Sequence, residues 1–451
     1  MRISRYVFSH QVEPGWWGLY TPFEHAVCFV PDTIWRQLGD AGDASLRQST
    51  RDELIAKKIL VDDDFDETCL EDYRRTTITG INAMFLVVVQ RCNLACRYCV
   101  VENNVTDPMR LGDRMTVSTA LSAIDFFTRL IDSSRQSEAR VTYYGGEPML
   151  NPSVLSATLP RIRNIQARGL QRPVEAVMIT NGTIYNEEIA TLFMKYGAAV
   201  CVSLDGMAEQ HDIARVTQTG RPTHAKILEN IKRYQDKGIR MGISCTIGRH
   251  NYQSLADVAR FFVKEIGVAE IEFQMPYQLP DAGNDFYVPM SEATDYMLHA
   301  SEVLMDELGT NEFTTFRRLE SFISGHWRHR DCGAAGGQIV VSPTGKAGPC
   351  HSLVGSGSCF QGDVTDPGYD VLEDPVFAEW TTRIPVNMPQ CTGCPFIALC
   401  GGGCPYNALT AHGTIWAKDP QVCPYLEKLV PWILDRLWRR GESAAVASGA
   451  G

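Results

Sequence analysis

The chain reads as an α/β protein: a partial parallel barrel of six strand–helix units, with a small α+β section before it and a cysteine-rich section after it. Three observations predict this. Six apolar, β-branched runs recur between residues 84 and 275, each separated from the next by a helix-period segment. Repeated strand–helix units imply parallel strands joined by right-handed crossovers. Six units fall short of the eight that close a full barrel.

The N-terminal section, residues 1–80, comes first. Short strands are expected near Tyr6–Phe8, Trp17–Tyr20 and Ala26–Val30, with turn residues between them. Helical stretches follow near Asp32–Leu38 and Ser49–Lys58, then Ile59–Val61 and an acidic linker, Asp62–Asp66. The barrel is expected over 81–315. Its strands are Met84–Val89, Arg140–Tyr144, Glu175–Thr180, Ala199–Leu204, Arg240–Ile247 and Ala269–Met275. Among its helices, Thr223–Lys237 places Ile227, Leu228, Ile231 and Tyr234 on one face and stops at Gly238. The third section, 316–440, is rich in glycine, proline and cysteine, shows little periodicity, and ends in a helix over Pro424–Arg440. Metal more than a hydrophobic core is expected to hold it together. The small, polar tail 441–451 is expected to be disordered.

The unusual residues fall at the C-terminal ends of the barrel strands, where parallel barrels carry their active sites. Cys92 follows the first strand, Gly145-Gly-Glu147 the second and Asn181-Gly182 the third. Ser203-Leu-Asp205, Thr246 and Gln274 end the next three.

Composition narrows the classes. The 451 residues suffice for two or three domains, and the net charge of −11 argues against non-specific nucleic-acid binding. No stretch has the apolar length of a membrane span, and Met1–Tyr20 lacks the apolar run of a secretory signal. The expected location is the cytoplasm, where the 15 cysteines stay reduced and act as ligands, catalytic groups or small hydrophobes. Ten follow ligand spacings. Cys92-x-x-x-Cys96-x-x-Cys99 forms one loop, and Cys332, Cys350, Cys391, Cys394, Cys400, Cys404 and Cys423 form a later group. Three thiolates from one short loop can bind three corners of a four-iron cluster and leave its fourth iron open. A zinc knuckle would need a fourth ligand close in sequence, and two zinc ribbons are the alternative for the later group.

These residues carry a family resemblance. Cys92-Asn-Leu-Ala-Cys96-Arg-Tyr-Cys99 resembles the signature of radical S-adenosylmethionine (SAM) enzymes. Tyr144-Gly-Gly-Glu-Pro148, Thr180-Asn-Gly-Thr183, and Ser203-Leu-Asp-Gly206 followed by His211-Asp-x-x-Arg215 resemble that family's further motifs, in order. The seven later cysteines, with Gly345 ahead of Cys350, resemble its SPASM extension.

The resemblance implies a 5′-deoxyadenosyl radical made from SAM, and three [4Fe-4S] clusters, one binding SAM and two auxiliary. Cys391, Cys394, Cys400 and Cys423 would hold the outer auxiliary cluster, and Cys332, Cys350 and Cys404 the inner one. Cys359 is a candidate fourth inner ligand; a substrate thiolate is another. Gly145 and Gly146 would let backbone approach the methionyl group of SAM, Glu147 would accept its ammonium, and Arg215 would meet its carboxylate. Asn181 belongs to the same cofactor-binding set, Ser203 and Asp205 suit ribose hydroxyls, and Tyr98 adenine. His351 stands where sulfatase-maturing relatives carry a proton-accepting aspartate, which makes it the candidate catalytic base and puts formylglycine chemistry in doubt.

Such enzymes mostly modify peptides or proteins. The N-terminal section resembles PqqD-like domains, which capture a leader peptide as an added strand. Trp16, Trp17 and Tyr20 are candidate peptide contacts, with core packing as the favoured alternative. The expected activity is radical cross-linking, carbon–carbon or thioether, of a ribosomally made precursor peptide, with ferredoxin or flavodoxin as electron donor. Sulfatase-type oxidation of a side chain, peptide epimerisation, and a non-enzymatic iron–sulfur electron carrier are the alternatives.

Overall fold

Nine strands form one sheet that runs from the central section into the C-terminal one. The computed structural model describes residues 1–40, 46–75, 80–103, 112–277 and 285–441. At the N-terminus lie β1 (Arg2–Ile3), β2 (Phe8–Glu13), β3 (Trp16–Thr21), β4 (Ala26–Pro31) and β5 (Leu60–Val61). β2, β3 and β4 form an antiparallel meander, and β1 pairs with β5. The large sheet follows: β6 (Ala83–Val89), β7 (Arg140–Gly145), β8 (Glu175–Thr180), β9 (Ala199–Ser203), β10 (Met241–Thr246) and β11 (Glu270–Gln274). These six are parallel and lie side by side in chain order. This is the expected partial barrel.

Alternation shows why these runs became strands. In β10, Met241, Ile243 and Cys245 are buried, whereas Gly242, Ser244 and Thr246 are half-buried. β11 repeats the pattern with Ile271 and Phe273 against Glu272 and Gln274. The apolar set packs against crossover helices such as Val117–Ser134, Pro152–Arg163 and His224–Asp236. Each fully buried aliphatic side chain contributes about 1.5–3 kcal/mol. The polar set is left to face the inside of the curved sheet. The helix expected over Thr223–Lys237 is His224–Asp236; Ile227, Ile231 and Tyr234 are buried, and Gly238 follows at φ +71°.

Two expectations change. The C-terminal section is not held by cysteines alone. Its strands β12 (Gln338–Val341), β13 (Lys346–Gly348) and β14 (Gly362–Asp363) continue the barrel sheet, with β12 parallel to β6. Ile339, Val340 and Val341 are fully buried, so an apolar core reaches this section. The acidic linker at Asp62–Asp66 is in part helix: Phe65–Arg75 is helical, with Asp66 and Glu67 in the first turn, where acidic groups suit the helix dipole. Asp66 is buried because Arg2 and the Ser4 hydroxyl both donate to it at 2.6 Å.

The N-terminal section docks onto the C-terminal one. Tyr73 donates to the Arg328 carbonyl at 2.6 Å and stacks on Trp327. Trp16 and Phe29 both meet Trp438 of the last helix, Val422–Arg440. Trp17 donates to Asp32, and Tyr20 is fully buried against Phe322. Packing therefore accounts for Trp16, Trp17 and Tyr20, in line with the core-packing alternative. The expected disordered tail, past Gly441, lies outside the described residues. No helix among the described residues is long and apolar enough to cross a membrane.

Candidate functional site

The loop carrying Cys92, Cys96 and Cys99 springs from the end of β6 and is braced by the end of β7. Gly146 N–H donates to the Val89 carbonyl at 2.9 Å, and Glu147 N–H to that of Arg91 at 3.1 Å. This approach requires glycine. A Cβ at Gly145 would sit 2.0 Å from the Val89 oxygen, and one at Gly146 2.2 Å from the Arg91 oxygen. Gly146→Ala is expected to cost about 3 kcal/mol through forced displacement of the loop. Denaturant unfolding and iron content measure it; unchanged values for both would refute the bracing role.

Glu147 departs from its expected part. Its carboxylate is fully buried and already accepts three hydrogen bonds, from Met149 N–H (2.9 Å), the Thr180 hydroxyl (2.8 Å) and Asn181 N–H (2.8 Å). It ties β7 to β8 and does not line the cavity described below, so it is not placed to receive an ammonium group. Asn181 is placed nearer: its side chain donates to Asn93 at 2.8 Å and reaches within 3.6 Å of the Cys92 sulfur.

Asp205 is a second correction. Its carboxylate has no exposure and is shared among Tyr98 Oη–H, Thr246 N–H (3.1 Å), His250 (3.2 Å) and the Arg215 guanidinium (3.1 Å). With those partners it orients the site instead of reaching ribose. Burial alone would raise its pKa, but the Arg215 charge and the His250 bond hold it well below the usual carboxylate range. The stabilisation is therefore complete above the unfolded value near 4 and is lost as pH falls toward the folded value. Asp205→Asn, which removes the charge, is expected to cost about 3–5 kcal/mol and to weaken SAM binding. Acid-titrated unfolding checks the first and equilibrium dialysis the second.

Tyr98, Ser203 and Arg215 line a cavity of about 390 Å³, as do Gly145, Gly146 and Asn181. Arg215 lies over the Tyr98 ring and within 3.9 Å of the Cys96 sulfur. Cys92, Cys96 and Cys99 line it, and Cys332, Cys350 and Cys404 line the same space. His351 also borders it, stacked on Phe85 (4.7 Å between centroids) and edge-on to Tyr144. Its Nδ1 is buried without a partner, and burial pushes the pKa down to about 4, so the ring is neutral. Cys359 does not line the cavity; it sits in left-handed backbone (φ +67°) and packs beside Cys350.

The remaining four thiols line a separate cavity of about 260 Å³: Cys391, Cys394, Cys400 and Cys423. Between Cys400 and Cys404 the chain crosses from one group to the other through Gly401, Gly402 and Gly403, with φ of +65°, +83° and +71°. Three successive left-handed residues are open only to glycine at low cost. Asp419 fixes the far end by accepting from Cys404 N–H at 2.7 Å. Arg383, fully buried, holds the same turn through the carbonyls of Gly403, Ile415 and Ala417.

These sets fit iron–sulfur clusters. Burial raises the pKa of Cys92, of Cys96 and of all seven later thiols, and the like charge of neighbours adds to it, as Cys332 does for Cys350 and Cys391 for Cys400. Bound iron would supply the positive charge that reverses this. Among the described residues no three cysteine, histidine or acidic groups converge tightly enough for a single metal ion. A four-iron cluster is larger and takes thiols spread around a cube.

Sequence reasoning missed several cavity residues: Ser244, Glu272, Arg317, Asp331, Asn407 and Asp419. For Ser244 and Glu272 a signal existed. Gly-Ile-Ser-Cys-Thr and Glu-Ile-Glu-Phe-Gln alternate strictly, and the polar half of such a strand faces a barrel interior.

Comparison with known proteins agrees with this geometry. Residues 86–262 match the Radical SAM superfamily. Radical SAM cyclopropyl synthase TigE of Paramaledivibacter caminithermalis is 21% identical, over 79% of this chain and 74% of its own. The serine-type anaerobic sulfatase-maturating enzyme of Bacteroides thetaiotaomicron is 24% identical, over 71% of this chain and 82% of its own. Native anSMEcpe with bound AdoMet superposes with a TM-score of 0.67 at 17% identity, covering 80% of this chain and all of the other. Streptococcus suis SuiB bound to precursor peptide SuiA superposes with a TM-score of 0.55 at 13% identity, covering 94% and 99%.

Proposed function

Residues 86–262 being a radical SAM domain, we propose that the chain is a maturase that cross-links a ribosomally made precursor peptide. The observation that carries this is the shared cavity: the Cys92–Cys96–Cys99 loop and the Cys332, Cys350 and Cys404 thiols face the same space. A substrate between them meets a radical source on one side and an electron acceptor on the other. When bound, SAM and its cluster supply a 5′-deoxyadenosyl radical that takes a hydrogen atom from the peptide. The chain's own part is to bind, orient and exclude water. Cys92, Cys96 and Cys99 would hold the first [4Fe-4S] cluster, Cys332, Cys350 and Cys404 the inner auxiliary one, and Cys391, Cys394, Cys400 and Cys423 the outer. Tyr98, Asn181, Ser203 and Arg215 would hold SAM. Phe85 and Tyr144 seat His351 at the edge of the cavity, where its free Nδ1 can accept a proton from the substrate. A leader segment would be held by the N-terminal section, and ferredoxin or flavodoxin would deliver the electron.

Likeness to SuiB, whose structure holds the precursor peptide SuiA, supports a peptide substrate. A second reading, oxidation of a protein side chain, draws on the sulfatase-maturating relative and the anSMEcpe fold. Anaerobic incubation with SAM, reductant and the peptide encoded beside the gene tests the proposal by mass spectrometry. A loss of two hydrogens with fragments that stay joined is the expected result. Separable fragments indicate oxidation, and an unchanged mass with an inverted centre indicates an epimerase; either refutes cross-linking.

A further inference from the structure

The floor of the shared cavity carries a polar row of which the SAM motifs use only Ser203. Ser244 of β10 is the register partner of Ser203 on β9 and of Glu272 on β11. Register partners on parallel strands point to the same face, so the three side chains lie side by side. All three line the cavity. One layer nearer the rim lie Thr246 and Gln274; one layer deeper, Gly242 adds no side chain.

Glu272 is the outlier in this row. Its carboxyl makes no hydrogen bond and no ion pair among the described residues. Two cations lie close enough to influence it, Arg317 and Arg140, and neither bonds to it. Arg317 donates to the Asp331 carbonyl at 3.0 Å and lies 3.4 Å from its carboxylate. Arg140 donates to Glu175 at 2.6 Å. Burial raises the pKa of Glu272 and outweighs the attraction of the two arginines. An unpaired carboxylate in an enclosed space is costly, and a cation from outside removes that cost.

We infer that Glu272 receives a cationic side chain of the substrate, the ammonium of a lysine or the guanidinium of an arginine, next to the residue that is modified. This rests on the peptide-maturase reading above. Glu272 thereby acts as a specificity-determining residue: it sets which sequences can seat their neighbour between the two cysteine groups. The small side chain of its register partner Ser244 leaves room for a bulky group beside it.

The test uses the reconstituted full-length protein, unreduced and saturated with SAM, so that the ammonium of SAM is already bound. The probes are n-butylammonium, n-propylguanidinium and the neutral butyramide, followed by equilibrium dialysis. Wild type is expected to bind at least one cation about tenfold or more tightly than butyramide. Glu272→Gln should abolish that preference, and Glu272→Asp should retain part of it, with iron content and circular dichroism as controls for folding. Equal binding of all probes by wild type, or a preference kept in Glu272→Gln, overturns the inference. A second arm separates it from its premise. If the cation preference holds but no precursor peptide is altered, the maturase reading fails while the cation site stands. If a peptide with norleucine in place of every lysine and arginine is modified as fast as its parent, the site fails while the maturase reading stands.

Discussion

Cys96→Ala is expected to abolish reductive cleavage of SAM while about two thirds of the iron stays bound. Removing this one thiol leaves Cys92 and Cys99, and two protein ligands do not hold a cube already open at one corner. Cys332, Cys350 and Cys404 lie across the cavity on other elements, and Cys391, Cys394, Cys400 and Cys423 in a cavity of their own. Neither group shares a ligand with the loop, so the loss stays local. Iron analysis and a chromatographic assay for 5′-deoxyadenosine provide the readout. Cleavage retained in the variant would refute the assignment of the SAM-binding loop. Loss of all iron would refute the independence of the three groups.

Deleting residues 1–75 is expected to unfold the cysteine-rich section as well as to remove peptide capture. Tyr6, Phe23, Cys69 and Tyr73 bury Ile384, Ile397 and Ala398, the last two in the segment between Cys394 and Cys400. Tyr20 also packs close enough to feel the charges of Cys394 and Cys400. At about 1.5–3 kcal/mol for each large side chain, exposing this contact forfeits roughly 6–12 kcal/mol, comparable to the whole stability of a domain. The truncated protein should bind about two thirds less iron and melt at a lower temperature. A soluble fragment with full iron content would show that the N-terminal section is a detachable module, contrary to this packing.

Much of the barrel was legible in the sequence, because β-branched runs at regular spacing have few other uses. The cavity lining by Tyr98, Asn181, Ser203 and Arg215 followed from motif position at the strand ends. Glu147 and Asp205 were misread for a common reason. A motif says that an acidic residue stands at a strand end, but not which donors reach it first. Thr180, Met149 and Asn181 claim Glu147; Tyr98, His250, Thr246 and Arg215 claim Asp205. Those donors come from separate strands and loops, and only the fold brings them together. The helix Phe65–Arg75 was read in part as linker because its charged residues mask the few apolar positions, Cys69 and Tyr73, that dock it. β12 was missed because a four-residue strand among glycines carries no periodicity of its own.

The pairing of β12 with β6 has a mechanical effect. The strand leading to Cys92 and the strand preceding Cys350 are bonded edge to edge, Ala83 to Gln338 through Leu86 to Val341. A sheet does not flex along its ladder as two lobes do about a hinge. The spacing of the two thiol groups is thus set by one continuous sheet and not by a joint between two lobes.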